Sequence, residues 1–257
     1  MTITMPPTAA ERIPPGSMRK TAFVAGALYL LTFASSIPAK FLFIDPALAN
    51  ADVMTRPGVD TLLLWGGFLD LINALACIGT AVVLFPVVRR QHEAAALGFV
   101  TTRIFEAAVI VIGIVSLLSL VTLQQALAGA AGTDATSLVA TGHGLVAVYE
   151  WTFLLGPGLM AGFNALLLGS LMYRSGLVPR IIPVLGLIGA PLLLTSVVAA
   201  FFGLHDLTSP THMIAVLPIA CWELSLGVYL VVKGFKPSPL TAGGVAPAPV
   251  NATAPVG

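Results

Sequence analysis

Charge is what this sequence has least of. Only 9% of its 257 residues are Asp, Glu, Lys or Arg, while 57% are hydrophobic; soluble domains carry about 25% charged residues. A chain this long would need more charge to cover a water-facing surface, so an ordinary soluble domain is excluded and the apolar excess must face lipid. The same sparsity, with a formal net charge of +1, argues against nucleic acid: no basic cluster is interleaved with aromatic residues. Cysteine is nearly missing. Cys77 and Cys221 both fall inside apolar runs, which argues against a disulfide or a thiolate metal site and for small packing residues. There is no Gly-rich phosphate loop and no nucleophile–base arrangement, so no cofactor is expected. Few lysines among many Ala, Val and Gly residues is a composition typical of high-GC bacterial genes.

What is present is a series of long apolar runs. A helix needs about 20 mainly apolar residues to cross roughly 30 Å of hydrocarbon. Six runs qualify, at about 20–44, 61–88, 94–123, 143–173, 181–203 and 211–232. The expected fold is therefore an all-α integral membrane bundle of six transmembrane helices, with the lipid bilayer as its first partner. The first run is too long for a cleavable signal, and the small-residue stretch Ala47-Leu48-Ala49 lies too far beyond it, so it reads as a retained span. Short connections separate several runs: RRQHE at 89–93, RSGLVPR at 174–180 and LHDLTSP at 204–210. Longer, less regular pieces are expected at 45–60 and 124–142.

Orientation follows from the basic residues. Arg12, Arg19, Lys20, Arg89, Arg90, Arg174, Arg180, Lys233 and Lys236 all fall on one side of a six-span arrangement. The other side has Arg56 among Asp45, Asp52, Asp60, Asp134 and Asp206. The positive-inside rule then makes both termini cytoplasmic. Residues 1–18 and 234–257, rich in Pro, Ala, Thr and Gly, read as disordered tails on a membrane domain at 19–233. The sequon Asn251-Ala252-Thr253 lies in such a tail and is discounted.

The informative residues are ionisable groups away from the helix ends: Asp70, Arg103, Glu106, Glu150 and Glu223. Lys40 lies nearer an end, where its ammonium can snorkel to the interface. Insertion costs of about 2.5–3.5 kcal/mol per group would total roughly 15 kcal/mol if all five faced lipid. They must therefore face one another or water. Arg103 and Glu106 are three apart and close enough to pair. Asp70, Asn73, Cys77 and Thr80 form a stripe at helical spacing. His143, Glu150, Pro157 and Asn164 recur every seventh residue and drift only about 20° per step on an uninterrupted helix, which predicts a polar seam. His212 and Glu223 share a face. Depth along the runs predicts a central cluster of Arg103, Glu106 and Glu223, and an outer cluster of Lys40, Asp70 and Glu150. Four carboxylates then face two cations, so a proton, a cationic ligand or water must supply the difference.

Gly156-Pro157-Gly158 breaks the fourth run. Pro157 cannot donate to the carbonyl of Phe153 and clashes with that turn. The break serves either a midplane site of the transporter kind or simple bending, with Gly158 and Gly162 as a close-packing surface. His143, His205, Asp206 and His212 map to the outer face and are the weak candidates for a metal, in a spacing that matches no recognised zinc motif.

Two segments carry a family likeness. The basic flank leads into GALYLLTF, with Gly26, Tyr29 and Leu30, and SLMYRSGLVPRIIPVLG carries Tyr173, Ser175, Gly176, Pro179 and Arg180. With six spans over roughly residues 20–232, the chain resembles the bacterial membrane family catalogued as domain of unknown function 4386. That resemblance implies a multi-span fold and a plasma-membrane location, and no activity. The loop motif also reads as a tight cytoplasmic hairpin, with Gly176 suited to a left-handed helix cap and Arg174 and Arg180 at the headgroups.

Three functional readings remain open on the sequence. A small transporter or permease, proton-coupled or not, would use Glu106, Glu150 and Glu223 as titrating or substrate-contacting groups, with Arg103 as counter-charge. A sensor or partner-binding module would use the same charges as structural pairs. An outer-face metal hydrolase is the third.

Overall fold

The computed structural model describes residues 15–49, 53–128 and 133–238. Among them no strand forms. Helix α1 (Pro15–Pro38) passes through a π-helical segment, Ala39–Ile44, into a single turn, α2 (Asp45–Leu48). Then come α3 (Val59–Val88), α4 (Glu93–Leu127) and α5 (Thr133–Phe153). A second π-helical segment, Leu154–Met160, joins α5 to α6 (Ala161–Ser175), followed by α7 (Ile181–Phe201) and α8 (Pro210–Val232). Six of these continuous helical stretches are long and apolar enough to cross a membrane: Met18–Leu48, Val59–Val88, Glu93–Leu127, Ala135–Ser175, Ile181–Phe201 and Pro210–Val232. The protein is an all-α, six-span membrane bundle.

Each span packs on the next in sequence, and α1 closes the ring on α8. Short connections enforce this order, because antiparallel helices joined by a few residues must lie side by side. The closure is tight. A Cβ on Gly26 would stand 2.7 Å from the Gly227 carbonyl oxygen and 2.8 Å from the Val231 nitrogen, so glycine is what lets α1 approach α8. Arg19 then donates from its guanidinium to the carbonyls of Leu230 (3.1 Å), Val231 (2.8 Å) and Val232 (3.2 Å). These are carbonyls left free at a helix C-terminus, where a cation is also favoured by the helix dipole.

The core runs along the ring axis, with Trp222, Tyr29 and Phe99 among its largest fully buried side chains. Large apolar residues on every span point outward: Leu42, Leu75, Val115, Phe163, Ile188 and Ile214 are all exposed. In water this surface would drive association; in a bilayer it is the lipid face.

The connection expected at 124–142 is mostly helical. α4 continues to Leu127 and α5 already starts at Thr133, because TDATSLVAT contains no Pro or Gly to stop a helix. Helix α1 begins at Pro15, inside the stretch expected to be a tail, where proline suits the first helical turn. Arg12, Asp52, the Asn251 sequon, the Asp134 side chain and the rest of both expected tails (1–14 and 239–257) lie outside the described residues.

Both π-helical segments have local causes. Pro157 has no N–H for the Phe153 carbonyl, and the backbone accommodates it by widening over Leu154–Met160. In the first segment the Asp45 N–H reaches back five residues to the Lys40 carbonyl. Pro38 sits just before that segment and Pro46 just after it, so two prolines flank the widened turn.

Candidate functional site

Near the ring axis the structure gathers one buried polar network. Arg103, on α4, is 2% exposed, and Glu106, one turn on, is 5% exposed. Arg103 donates from Nη1 to Glu106 Oε2 at 3.1 Å and from Nη2 to Glu223 Oε1, on α8, at 2.8 Å. Glu106 Oε2 also accepts from Asn164 Nδ2, on α6, at 2.7 Å. Asn164 Oδ1 in turn accepts from the Thr102 hydroxyl. On the second span, Cys77 Sγ lies 3.5 Å from Arg103 Nη1 and 3.9 Å from Asn73 Oδ1. The guanidinium stands over the rings of Tyr29 (5.2 Å) and Phe99 (6.0 Å). Five of the six spans therefore meet around one arginine. Two carboxylates contact that single cation, and the Arg103 Nε is buried with no hydrogen-bond partner among the described residues.

Spacing explains the local part. Phe99, Arg103, Glu106 and Ile110 recur at intervals of three or four on α4 and are all buried, so one stripe faces the axis. The sequence stripe Asn73, Cys77 and Thr80 is buried as well. Asp70, at the N-terminal end of that stripe, is only half-buried and accepts no hydrogen bond among the described residues; Lys40 is the opposite charge acting on it.

The seven-residue seam is divided by the π-helical segment. Asn164 is buried in the network, Pro157 is half-buried, and Glu150 and His143 are exposed. A wider turn in the π-helical segment rotates everything beyond it relative to what precedes it. Glu150 and Asn164 consequently face different surroundings although fourteen residues separate them. Gly156 packs against Val109 and Gly158 against Val197, while a Cβ on Gly162 would meet Leu194 at 2.7 Å. The break is thus also a close-packing surface.

Lys40 pairs with Asp45, five residues on, and its ammonium stands 4.5 Å from the Phe153 ring centroid and 5.7 Å from that of Tyr149. Lys40 and Glu150 line one cavity. The histidines separate. His143 is exposed on α5, while His205 Nε2 and His212 Nδ1 both contact the Ser196 hydroxyl, at 3.2 and 3.0 Å. Asp206 contributes a backbone carbonyl to His205. Among the described residues, no three His, Cys, Asp or Glu side chains converge to hold a metal ion.

The 174–180 connection is a tight turn. Gly176 adopts φ +64° and its N–H caps α6 through the Met172 carbonyl at 3.2 Å, the left-handed ending glycine favours. The Ser175 hydroxyl bonds the same carbonyl, the Pro179 carbonyl accepts from Ile182, and Arg180 stacks over Tyr173. The chain after α8 returns to this turn, the Lys236 N–H donating to the Leu177 carbonyl at 2.8 Å.

The model of the family described as Domain of unknown function (DUF4386) matches residues 24–234, nearly the whole helical bundle. The chain belongs to this family. The match takes in all six spans, the polar network and the 174–180 turn. No curated protein and no solved structure matches the chain.

Sequence reasoning passed over Tyr29 and Thr102 as members of the network. Tyr29 had a signal, since it lies in the GALYLLTF segment, but nothing in one sequence ties it to Arg103. Thr102 had none, because threonine is unremarkable in a span.

Proposed function

We propose that the protein is a small transporter of the cytoplasmic membrane that binds a proton at the Arg103–Glu106–Glu223 network, with both termini cytoplasmic. The observation that carries this reading is the sharing of one guanidinium by two carboxylates. With both carboxylates ionised, the network has a net charge of −1 in a place where an uncompensated charge costs several kcal/mol. A proton on Glu106 or Glu223 removes that charge, and its gain or loss changes how α4 and α8 are held together. The side chain of Glu223 is the more exposed of the two, 16% against 7%, so it is the member placed to exchange a proton. The distribution of Arg and Lys supports the orientation.

Infrared difference titration of the reconstituted protein tests the proton site, scanning from about pH 5 to 9 to bracket a coupled carboxyl pair. A protonated-carboxyl band that titrates, and disappears in Glu106→Gln or Glu223→Gln, is the expected result. A spectrum with no titrating carboxyl band overturns the reading.

One observation favours a second reading. The network ties together five spans and is closed over by packed side chains, as a structural clasp would be. In a sensor or partner-binding module of this kind, Arg103→Glu combined with Glu106→Arg would restore stability and function together.

A further inference from the structure

A cavity of about 610 Å³ opens beside Lys40, Glu150 and Asp206. Its walls come from the first and fourth spans, which are not neighbours in the ring, from Ala200 on α7, and from the connection before α8. It therefore lies toward the ring axis, at the opposite end of the bundle from the 174–180 turn. Both π-helical segments border it, the first through Lys40 and the second through Leu154. Such segments occur disproportionately at functional sites, and here two of them converge on one space. The volume falls within the range of about 300–1,000 Å³ that accommodates small organic ligands.

The lining specifies the ligand's charge. Lys40 and Asp45 neutralise each other. Glu150 and Asp206 remain, and neither side chain has an ion-pair partner among the described residues. Beside them stand the rings of Tyr149, Trp151 and Phe153. This aromatic wall already holds one alkylammonium, since Lys40 Nζ sits 4.5 Å from the Phe153 centroid. That is within the distance at which a cation is attracted to a ring face. Two unpaired carboxylates disfavour an anion, and no metal-ligand set converges among the described residues.

We propose that this cavity binds an organic cation, an amine or quaternary ammonium, with Glu150 and Asp206 as counter-charges and the Trp151–Phe153 wall as its apolar, cation-attracting face. The site is independent of the proton reading, since cation binding requires nothing of Arg103, Glu106 or Glu223. A soluble amine and a lipid headgroup both carry such an ammonium group, two sources with the same chemistry.

Equilibrium binding to the full chain in phosphatidylglycerol nanodiscs tests the proposal, with benzyltrimethylammonium as the probe and benzoate as the anionic control. The probe is expected to saturate one site per chain. Its affinity should fall at least about tenfold in Glu150→Gln and about threefold in Phe153→Leu, as loss of a charge partner and of a cation–π face implies. Glu150 is exposed and makes no hydrogen bond or ion pair among the described residues, so Glu150→Gln should keep the wild-type melting temperature; Asp206→Asn provides a second variant of the same kind. Repeating the titration in phosphatidylethanolamine nanodiscs assigns the source: weaker apparent binding indicates a headgroup, unchanged binding a soluble amine. The proposal is overturned if the probe does not saturate, if benzoate binds equally well, or if Glu150→Gln and Asp206→Asn both retain wild-type affinity.

Discussion

Arg103→Met is the sharpest test of what the buried network contributes. The substitution preserves an unbranched apolar stem and removes the guanidinium, and with it the contacts to Glu106 at 3.1 Å and Glu223 at 2.8 Å. Hydrogen bonds to charged partners contribute about 1.5–3 kcal/mol each, so two give roughly 3–6 kcal/mol. Lost stacking over Tyr29 and Phe99 adds about 1 kcal/mol, and protonation of the stranded carboxylates recovers part of the total. The expected loss is about 3–5 kcal/mol, the usual cost of breaking a buried pair from one side. A neutral bond between spans behaves differently, averaging about 0.6 kcal/mol in membrane proteins. Thr102→Val, which deletes the hydroxyl bonded to Asn164, should therefore cost only about 0.6 kcal/mol. The triple variant Arg103→Met, Glu106→Gln, Glu223→Leu removes all three charges yet keeps an acceptor for Asn164. It should return to within about 1 kcal/mol of wild type, since replacing a buried ionic cluster by apolar groups is often neutral. Unfolding free energies in bicelles, measured by steric trapping, provide the comparison. If Arg103→Met costs no more than Thr102→Val, the charge network is not what holds the spans together and the reasoning fails.

Two further outcomes can be checked quickly. Gly26→Ala should destabilise the bundle by about 1–3 kcal/mol, because its Cβ would meet backbone atoms of α8 that cannot give way. Gly67→Ala, whose Cβ would find only Ile114 Cγ2 at 3.6 Å, should be neutral or stabilising by up to about 1 kcal/mol through helix propensity; equal losses in the two variants would refute the close-approach argument. A fluorescent protein fused after residue 257 should be bright and an alkaline phosphatase fused there inactive; the opposite pattern would invert the proposed orientation.

Much of the architecture was legible without coordinates. Residue composition and run length determined a six-span α-helical membrane bundle, because hydrocarbon thickness and backbone hydrogen bonding leave few other solutions. The Arg103–Glu106 pairing was legible too, since two residues three apart on a regular helix must share a face. The buried stripe through Asn73 and Cys77 followed from the same periodicity. What periodicity cannot supply is a partner on another helix. That Glu223 reaches Arg103, that Asn164 reaches Glu106, and that Tyr29 lies beneath the guanidinium are consequences of how α1, α4, α6 and α8 close into a ring. Nor does periodicity survive a change of helix type. His143, Glu150 and Asn164 share a line only if 3.6 residues per turn holds throughout, and the widened segment at Leu154–Met160 sends Asn164 into the core while Glu150 lines the cavity beside Lys40. Chain spacing determined angles within each helix; tertiary packing alone decided which faces met, because contacts between spans depend on rotations and offsets that no single helix encodes.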